Sequence, residues 1–412
     1  MPTLPSKADQ ATFAALVMDR FRQKGWTGPL TYLADDFSLE LGDKVGRAFL
    51  GNIYQDWLEA DEADKVKTID KLVDASLMVA QQQERFTHYE AVAANLLPAI
   101  RARSYVANMW LSFDPASRDK TSQVFEIPSF RLSDDLSILV AIDTPDALGF
   151  VGPTQLKAWN KTLDQVYETA MINLRQKAKP RFDAIQPGLF TAEGIDFYQS
   201  SLLLLPDIFK AADIKGDIVA VPVVRNCLLV AGTRDDKALA AMARIAEGTY
   251  AHEARPLSLA PLILKAGAWV SYDAPEGQLP MLDRLRLKAR AAEYSDQKHQ
   301  LDAYFAKAGR ETFVAAIEAI EVERGRMLTF TTLSSGVPVL LPQAQVVVIA
   351  PPDMAQPFAR RWEDVVAVFG APSLEPNTWP PRYQFSGRMD AGKLAKLKAL
   401  PEAPDFPKLS PE

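Results

Sequence analysis

Carboxylates are the main acid–base stock of this chain. Asp134, Asp135, Asp143 and Asp146 flank the apolar run Leu136–Ile142, and loops at strand ends are where catalytic groups commonly sit. Brought into one pocket with Arg101 or Arg225 as an anion clamp, Asp134, Asp135 and Asp143 would have the makings of a hydrolase, with or without a metal. Short Asp and Ser side chains also start turns and cap helices, and that simpler reading suits Ser133-Asp134-Asp135. Other reactive types are scarce. The three histidines, His88, His252 and His299, do not pair at metal-ligand spacing. His88-Tyr89-Glu90 matches half of a zinc-deaminase signature, but the chain has one cysteine and cannot complete it. That residue, Cys227, lies in an apolar run with no His or Lys near it, as an inert packing thiol would. Neither a phosphate-cradling glycine loop nor a nucleophile elbow occurs, since Ser334-Ser335-Gly336 lacks the preceding glycine. The pattern predicts no cofactor and no metal site.

Binding is better served. Arg225 and Asn226 separate the apolar runs Ile218–Val224 and Cys227–Val230. At such a hairpin tip Asn tolerates positive φ and Arg can reach an anion, although a solvated turn has the same composition. Pro222 removes a ladder donor, which predicts an edge or bulged strand, and an edge is a docking rail for another chain. Over Met281–Ala308, Leu282, Leu285, Ala289 and Ala292 form a narrow stripe at 100° per residue. Arg284 and Lys288 border it on one side, Arg286 and Arg290 on the other. Such a face suits an anionic membrane or a partner's groove, yet its alanines make it shallow and favour core packing with basic stems at the rim. The seven tryptophans are scattered and form no stacking platform for nucleic acid.

The elements that must position these groups follow from periodicity. Helices are expected over Asp9–Gln23, Ile53–Leu58 and Val66–Gln83, with short strands at Leu30–Leu33, Phe37–Leu41 and Val45–Leu50. Pro98 breaks the segment Ala91–Ile100. Val124–Leu132 and Leu136–Ile142 read as a hairpin. Thr162 with Gln165 is a capping box before Val166–Arg175. Phe182–Phe190 and Ile195–Leu205 read as strands around Thr191–Gly194, and Asp207–Ala212 as a short helix. Asp235 caps Lys237–Glu247, with Gly248 at its C-terminal end. Strands follow at Leu257–Leu264 and Ala268–Tyr272. Beyond a linker at Asp273–Pro280 come Met281–Ala308, a second helix at Glu311–Glu323, and strands at Arg326–Thr331, Val337–Leu341 and Gln345–Ala350. Trp362–Phe369 reads as a helix or strand and Arg382–Phe385 as a strand. Pro401, Pro404, Pro407 and Pro411 predict a disordered tail.

A chain of 412 residues has room for two or three domains and a sizeable core. The expected parts are an N-terminal α/β domain over residues 8–118, a middle α+β domain over 119–273, a C-terminal helical hairpin with a small β domain over 281–398, and the tail 399–412. A net charge of −6 argues against general nucleic-acid affinity. No apolar run approaches the ~20 residues of a membrane span, and Met1–Lys7 lacks the features of a secretion signal. A cytoplasmic protein is expected, of unspecified oligomeric state.

Several segments together resemble the YtpQ-like family of bacterial proteins, defined as a domain of unknown function. They are Leu50-Gly-Asn-Ile-Tyr54, Asn95-Leu-Leu-Pro-Ala-Ile-Arg101, Leu136-Ser-Ile-Leu-Val-Ala-Ile-Asp143, Asn173-Leu-Arg175, Tyr198-Gln-Ser-Ser-Leu-Leu-Leu-Leu205 and Ala220-Val-Pro-Val-Val-Arg-Asn-Cys-Leu-Leu229. The likeness covers roughly Phe37 to Tyr272 and departs at Val224-Arg225-Asn226, where the family has Ser-Arg-Asp. It implies a cytosolic α/β protein and supplies no catalytic residues. Taken together, the residues predict a multi-domain α+β protein with mixed or antiparallel sheets. Its expected work is non-catalytic, by protein–protein contact at Arg225, Asn226, Arg101, Arg284 and Lys288. The Asp-based hydrolase is the alternative.

Overall fold

A computed structural model describes residues 7–34, 37–42, 47–111, 127–144, 147–253, 256–275, 277–322, 326–334, 338–351, 356–385 and 389–407. The fold is α+β, in two compact units. One comprises residues 1–95, 143–148 and 155–161, the other 96–142, 149–154 and 162–412.

In the first unit, helix α1 (Lys7–Gln23) places Phe13, Val17 and Phe21 on one buried face, at the i, i+4 spacing of a helix stripe. Strands β1 (Thr31–Leu33), β2 (Ser38–Glu40) and β3 (Arg47–Phe49) form an antiparallel sheet. Helices α2 (Gly51–Glu59), α3 (Lys65–Arg85) and α4 (Tyr89–Val92) follow. Phe13, Phe21, Leu39, Leu50, Tyr54 and Val73 make the core. Arg20 grips Asp70 of α3 with two hydrogen bonds, 2.6 and 2.8 Å.

The second unit opens with β4 (Leu96–Ala102) and α5 (Arg103–Leu111). Next come β5 (Phe130–Arg131) and β6 (Leu136–Thr144); β7 (Ala147–Phe150) and α6 (Pro153–Trp159) are divided between this unit and the first, and α7 (Leu163–Lys177) follows. Strand β6 pairs antiparallel with β4 and β5. The capping box is formed: Gln165 N donates to Thr162 Oγ1 at 3.3 Å, and Thr162 N to Gln165 Oε1 at 3.0 Å. Strands β8 (Arg181–Gln186), β9 (Leu189–Glu193), β10 (Ile218–Val224), β11 (Cys227–Gly232), β12 (Leu262–Lys265) and β13 (Ala268–Ser271) make an antiparallel sheet of order β13-β12-β10-β11-β9-β8. Alternate residues of β10 serve two cores. Val219, Val221 and Val223 pack with Leu239 and Met242 of α8 (Asp236–Ala251). Ala220 joins Leu202, Phe209 and Trp269 in the other core. Both faces are therefore covered, which explains runs that are apolar without alternation.

Helix α9 (Pro280–Ala308) carries Leu282, Leu285 and Ala289 into the α8 core. Beyond it, β15 (Ile317–Glu321), β16 (Met327–Ser334), β18 (Val346–Ala350) and β19 (Phe358–Arg361) form one sheet. β14 (Phe313–Val314), β17 (Val339–Pro342), β20 (Ser373–Leu374) and β21 (Arg382–Gln384) form another. Helices α10 (Trp362–Phe369) and α11 (Ala391–Ala399) complete a core around Leu341, Val347 and Val365.

Several expectations are corrected. The segment 311–323 is not a second helix: 313–314 and 317–321 are strands, because pairing with β17 and β16 overrides the helical preference of its Ala and Glu residues. Ile195–Leu205 is not a strand. Gln199–Leu204 and Pro206–Ala211 are tight helical turns, since a run of leucines buried on every side has no period to read. Helix α8 continues through Gly248 to Ala251. Pro222 stands on β10, an inner strand, so the edge is corrected while the bulge is present as a register shift between Pro222 and Val224. In the tail, Ala403 is buried, its N–H donates to Ala359 O at 3.3 Å, and Phe406 packs 5.3 Å from Phe330. The prolines there rule out a helix but leave an ordered extended chain through residue 407. Pro411, Asp146, Ser335, Gly336 and the expected strand's residues 124–126 lie outside the described residues.

Candidate functional site

The turn between β5 and β6 presents Asp134 and Asp135. Leu132 and Ser133 donate their N–H groups to Leu136 O, and Asp135 N donates to Ser133 Oγ at 3.3 Å. This is the turn chemistry anticipated for Ser and Asp. Asp135 does more than turn the chain. Its Oδ1 accepts from Arg290 Nη2 of α9, and its Oδ2 accepts from Ser258 Oγ at 3.1 Å. Arg290 reaches a second carboxylate as well, with Nη1 lying 3.0 Å from Glu293 Oε2. Glu293 Oε1 in turn accepts from Ser104 Oγ of α5 at 2.9 Å. One guanidinium thus joins two acids, and the pair ties the β5–β6 turn, the 257–260 segment, α9 and α5 together.

Burial sets the electrostatics. It pushes the Glu293 carboxyl above its usual range, and the Arg290 charge and the Ser104 hydrogen bond offset only part of the rise. Burial works to lower Arg290, but Glu293 and Asp135 outweigh it and hold the guanidinium charged. The Tyr250 hydroxyl nearby is raised by burial, and Glu293 adds to the effect. Behind the turn, Arg103 donates to Asp134 O at 2.9 Å and stacks 3.7 Å above the Trp379 ring. Burial and the neighbouring Arg131 charge lower Arg103. Asp134 itself is exposed and paired with Arg131.

Two cavities adjoin the cluster. The first, about 310 Å³, is walled by Tyr250, Leu257, Ser258, Leu259 and Glu293. The second, about 230 Å³, is walled by Ser133, Ser271, Gln343, Trp379 and Pro381. Asp135, Ala260, Arg286 and Arg290 border both, so the arginine pair on α9 stands between them.

The remaining candidates lie elsewhere. Asp143 belongs to the first unit, and its backbone oxygen accepts from Asn95 Nδ2 at 3.1 Å. The length of β6 separates it from Asp135, about 26 Å at 3.3 Å per residue. The trio Asp134, Asp135 and Asp143 is therefore corrected as a single constellation. Arg101 donates to Ile100 O at 2.8 Å and lies 5.2 Å over Phe150. Arg225 and Asn226 are exposed at the β10–β11 tip, with Arg225 5.7 Å over Phe197. Neither takes positive φ, because the bulge at Pro222–Val224 supplies the local twist instead. Arg284 is half-buried and Lys288 exposed, and neither has an ion pair among the described residues. Burial pushes the Cys227 thiol up to about 11, as expected of a packing thiol.

No family model, curated protein or solved structure matches this chain, so the likeness to the YtpQ-like family rests on the quoted residues alone. Sequence reasoning missed Glu293, Ser104 and Ser258. The available signal was Arg290 and Glu293 at i, i+3, which places an ion pair on one helix face. Among the described residues no group of three or more His, Cys, Asp or Glu could hold a metal ion, and no helix is long and apolar enough to cross a membrane.

Proposed function

We propose that the protein is a non-catalytic binding or regulatory protein, working through contact with another protein in the cytoplasm. The acidic stretch of a partner would dock along the basic rim of α9. The supporting observation is Arg284 and Lys288, one helical turn apart with no ion pair among the described residues, beside Arg286, which is ion-paired with Asp283 at 3.8 Å. Two of the acids on and beside α9 are already engaged. Asp135 is spent on Arg290 and Ser258, and Glu293 on Arg290 and Ser104. Uncompensated cations steer an acidic partner and lose their pull as salt rises. The test is affinity capture from the native cell with the wild type and with Arg284→Glu/Lys288→Glu. The reading requires a specific partner whose capture drops at least tenfold in the variant and weakens from 50 to 300 mM salt, roughly across the screening range, while Tm holds. Unchanged capture with the reversed charges rejects it.

A second reading, hydrolysis, draws on one observation: Glu293 is held toward its protonated form beside the larger cavity, as a general acid requires. A thermal-shift screen with divalent metals, nucleotides and phosphosugars separates the two. A small ligand at a hundred times its Kd stabilises by about 2.7 kcal/mol, and no shift counts against chemistry.

A further inference from the structure

Past α11, residues 401–407 lie as a strap on the outer face of the β15–β16–β18–β19 sheet. On β18, Val347 turns into the core with Val365, whereas Val346 turns to the opposite face with Leu328 and Phe330 of β16. Ala403 and Phe406 of the strap pack there, leaving Leu328, Val346 and Ala359 buried. The strap is nevertheless lightly fastened. Buried Arg360 pins the end of α11, donating to Leu397 O at 2.6 Å and Lys398 O at 3.2 Å. From there on, the one backbone hydrogen bond of residues 401–407 to the sheet, among the described residues, is Ala403 N to Ala359 O at 3.3 Å. Pro401, Pro404 and Pro407 have no N–H to add. Asp405 pairs with Arg326, but with side chains 53% and 60% exposed such a pair holds weakly. Hollows of about 340 and 280 Å³ remain along the strap.

Strand β19 ends the sheet, and its outer edge is mostly unused. Trp362 N donates inward to Gln345 O at 3.1 Å, so the alternate residues Arg361 and Ala359 aim their peptide groups outward. Among the described residues the strap takes only the Ala359 carbonyl, and a turn at Pro404-Asp405, with Asp405 at φ +62°, then leads it off the edge. Arg361 stands in register with Val346, hence on the strap's face, and its guanidinium has no ion pair among the described residues. An edge with peptide groups to spare, an apolar face and a spare cation are what an added segment uses.

We propose that this edge and face form a docking groove for an extended segment of another protein, and that the chain's own strap is that segment's internal competitor. The strap shows the chemistry the groove takes. A small apolar residue lies against Ala359, an acid follows at Arg326, and an aromatic ring comes to rest 5.3 Å from Phe330. Arg361 asks for a second acid. The larger hollow opens beside Ala403 and Phe358, so Val in place of Ala403 fills space that the strap leaves empty. This surface shares no residue with the α9 rim and goes beyond the binding reading above.

The experiment follows the fluorescence anisotropy of two labelled peptides on the full chain, one copying Leu400–Pro407 and one carrying Ala403→Val. Each is titrated with the wild type and with Asp405→Ala/Phe406→Ala, which unfastens the strap. The groove requires both peptides to bind the unfastened chain at least tenfold more tightly, because a competitor lowers the open fraction, and the Val peptide to bind the tighter of the two. It also requires Arg326→Glu/Arg361→Glu, at two exposed positions, to weaken both at least tenfold with Tm unchanged. In the wild type, hydrogen–deuterium exchange must find 401–407 exchanging at least a hundredfold faster than β18. Equal affinity for the wild type and the unfastened chain, no binding to either, or a strap as protected as β18 overturns the proposal. A Val peptide that binds more weakly overturns the chemistry assigned to the segment. Light scattering that finds a dimer in the wild type and a monomer in the unfastened chain names a second copy's strap as the occupant and overturns the assignment to another protein.

Discussion

Arg382 is the most telling side chain to remove. It is wholly buried on β21 and, among the described residues, faces no carboxylate within hydrogen-bond reach. Its Nε donates to Gln297 Oε1 at 2.6 Å, Nη1 to Ala315 O at 2.6 Å and Nη2 to Tyr294 O at 2.9 Å. Two effects compete in Arg382→Met. Hydrogen bonds from a charged donor contribute about 1.5–3 kcal/mol each, so losing three costs about 5–9 kcal/mol. Against this, burial pulls the guanidinium from its ordinary 12.5 down to about 10. At about 1.36 kcal/mol per pH unit, the buried charge sits about 3 kcal/mol worse than in the unfolded chain. Relief of that penalty leaves a net loss of about 2–6 kcal/mol, since Met fills similar space but orphans three acceptors. Urea denaturation followed by near-UV circular dichroism measures it through the midpoint at constant slope. Arg382→Lys, with its charge kept and its fork lost, should not recover the wild-type midpoint. An unchanged or higher midpoint for Arg382→Met would show that desolvation dominates and would refute the reasoning. Because Arg382 bonds Tyr294 and Gln297, the two α9 residues that donate to Pro381 O and Pro380 O beside Trp379, the same variant should also broaden the Trp379 indole NMR resonance.

Other perturbations probe separate parts of the chain. In the first unit, the hydrogen bond from Arg20, with help from Lys24, holds the Asp70 carboxyl down to about 2 against an ordinary 3.8. A depressed carboxyl contributes stability above its unfolded value and loses it as protons bind, so calorimetry should show Tm falling between about pH 4 and 2, with that limb flattened in Asp70→Asn. An equally steep limb in the variant would disprove the linkage. Gly194 has φ +118°, and a Cβ there would stand 2.0 Å from Lys179 O, so Gly194→Ala should destabilise by more than about 3 kcal/mol. Gly248 lies inside α8 with open space around it, so Gly248→Ala should raise stability by about 0.5–1 kcal/mol. Urea midpoints decide both, and a matching sign for the two glycines would contradict the geometry.

What could be read from the sequence was what neighbours in sequence decide. Thr162 with Gln165, and Asp235 with Ala238, meet within one helical turn, and both caps are formed. The β10–β11 hairpin closes over two residues. The acidic cluster was half legible: Asp134 and Asp135 could be picked out by type, but the guanidinium that Asp135 meets lies 155 residues away. No local pattern chooses Arg290 over Arg284 or Arg286, because the choice depends on which face of α9 turns toward the β5–β6 turn. Segments 195–205 and 311–323 failed for the opposite reason, since their composition suited a local state that tertiary pairing or all-round burial overruled.

The imino nitrogen of Pro222 has a reach beyond its own strand. Within a strand, a residue's nitrogen and carbonyl face the same neighbour, and Pro222 O accepts from Ser258 N at 3.1 Å. Its nitrogen therefore also looks toward the 258–260 stretch and has no hydrogen to offer it. Strand β12 is registered on β10 only at Val219 and Ala220, and Ala260 N turns to Ser258 Oγ instead. Tied to β10 there, among the described residues, only through Leu257 N and Ser258 N, and out of strand register, the stretch lends its wall to the larger hollow and delivers the Ser258 hydroxyl to Asp135. An atom missing from the middle of a sheet thus shapes the hollow at its border.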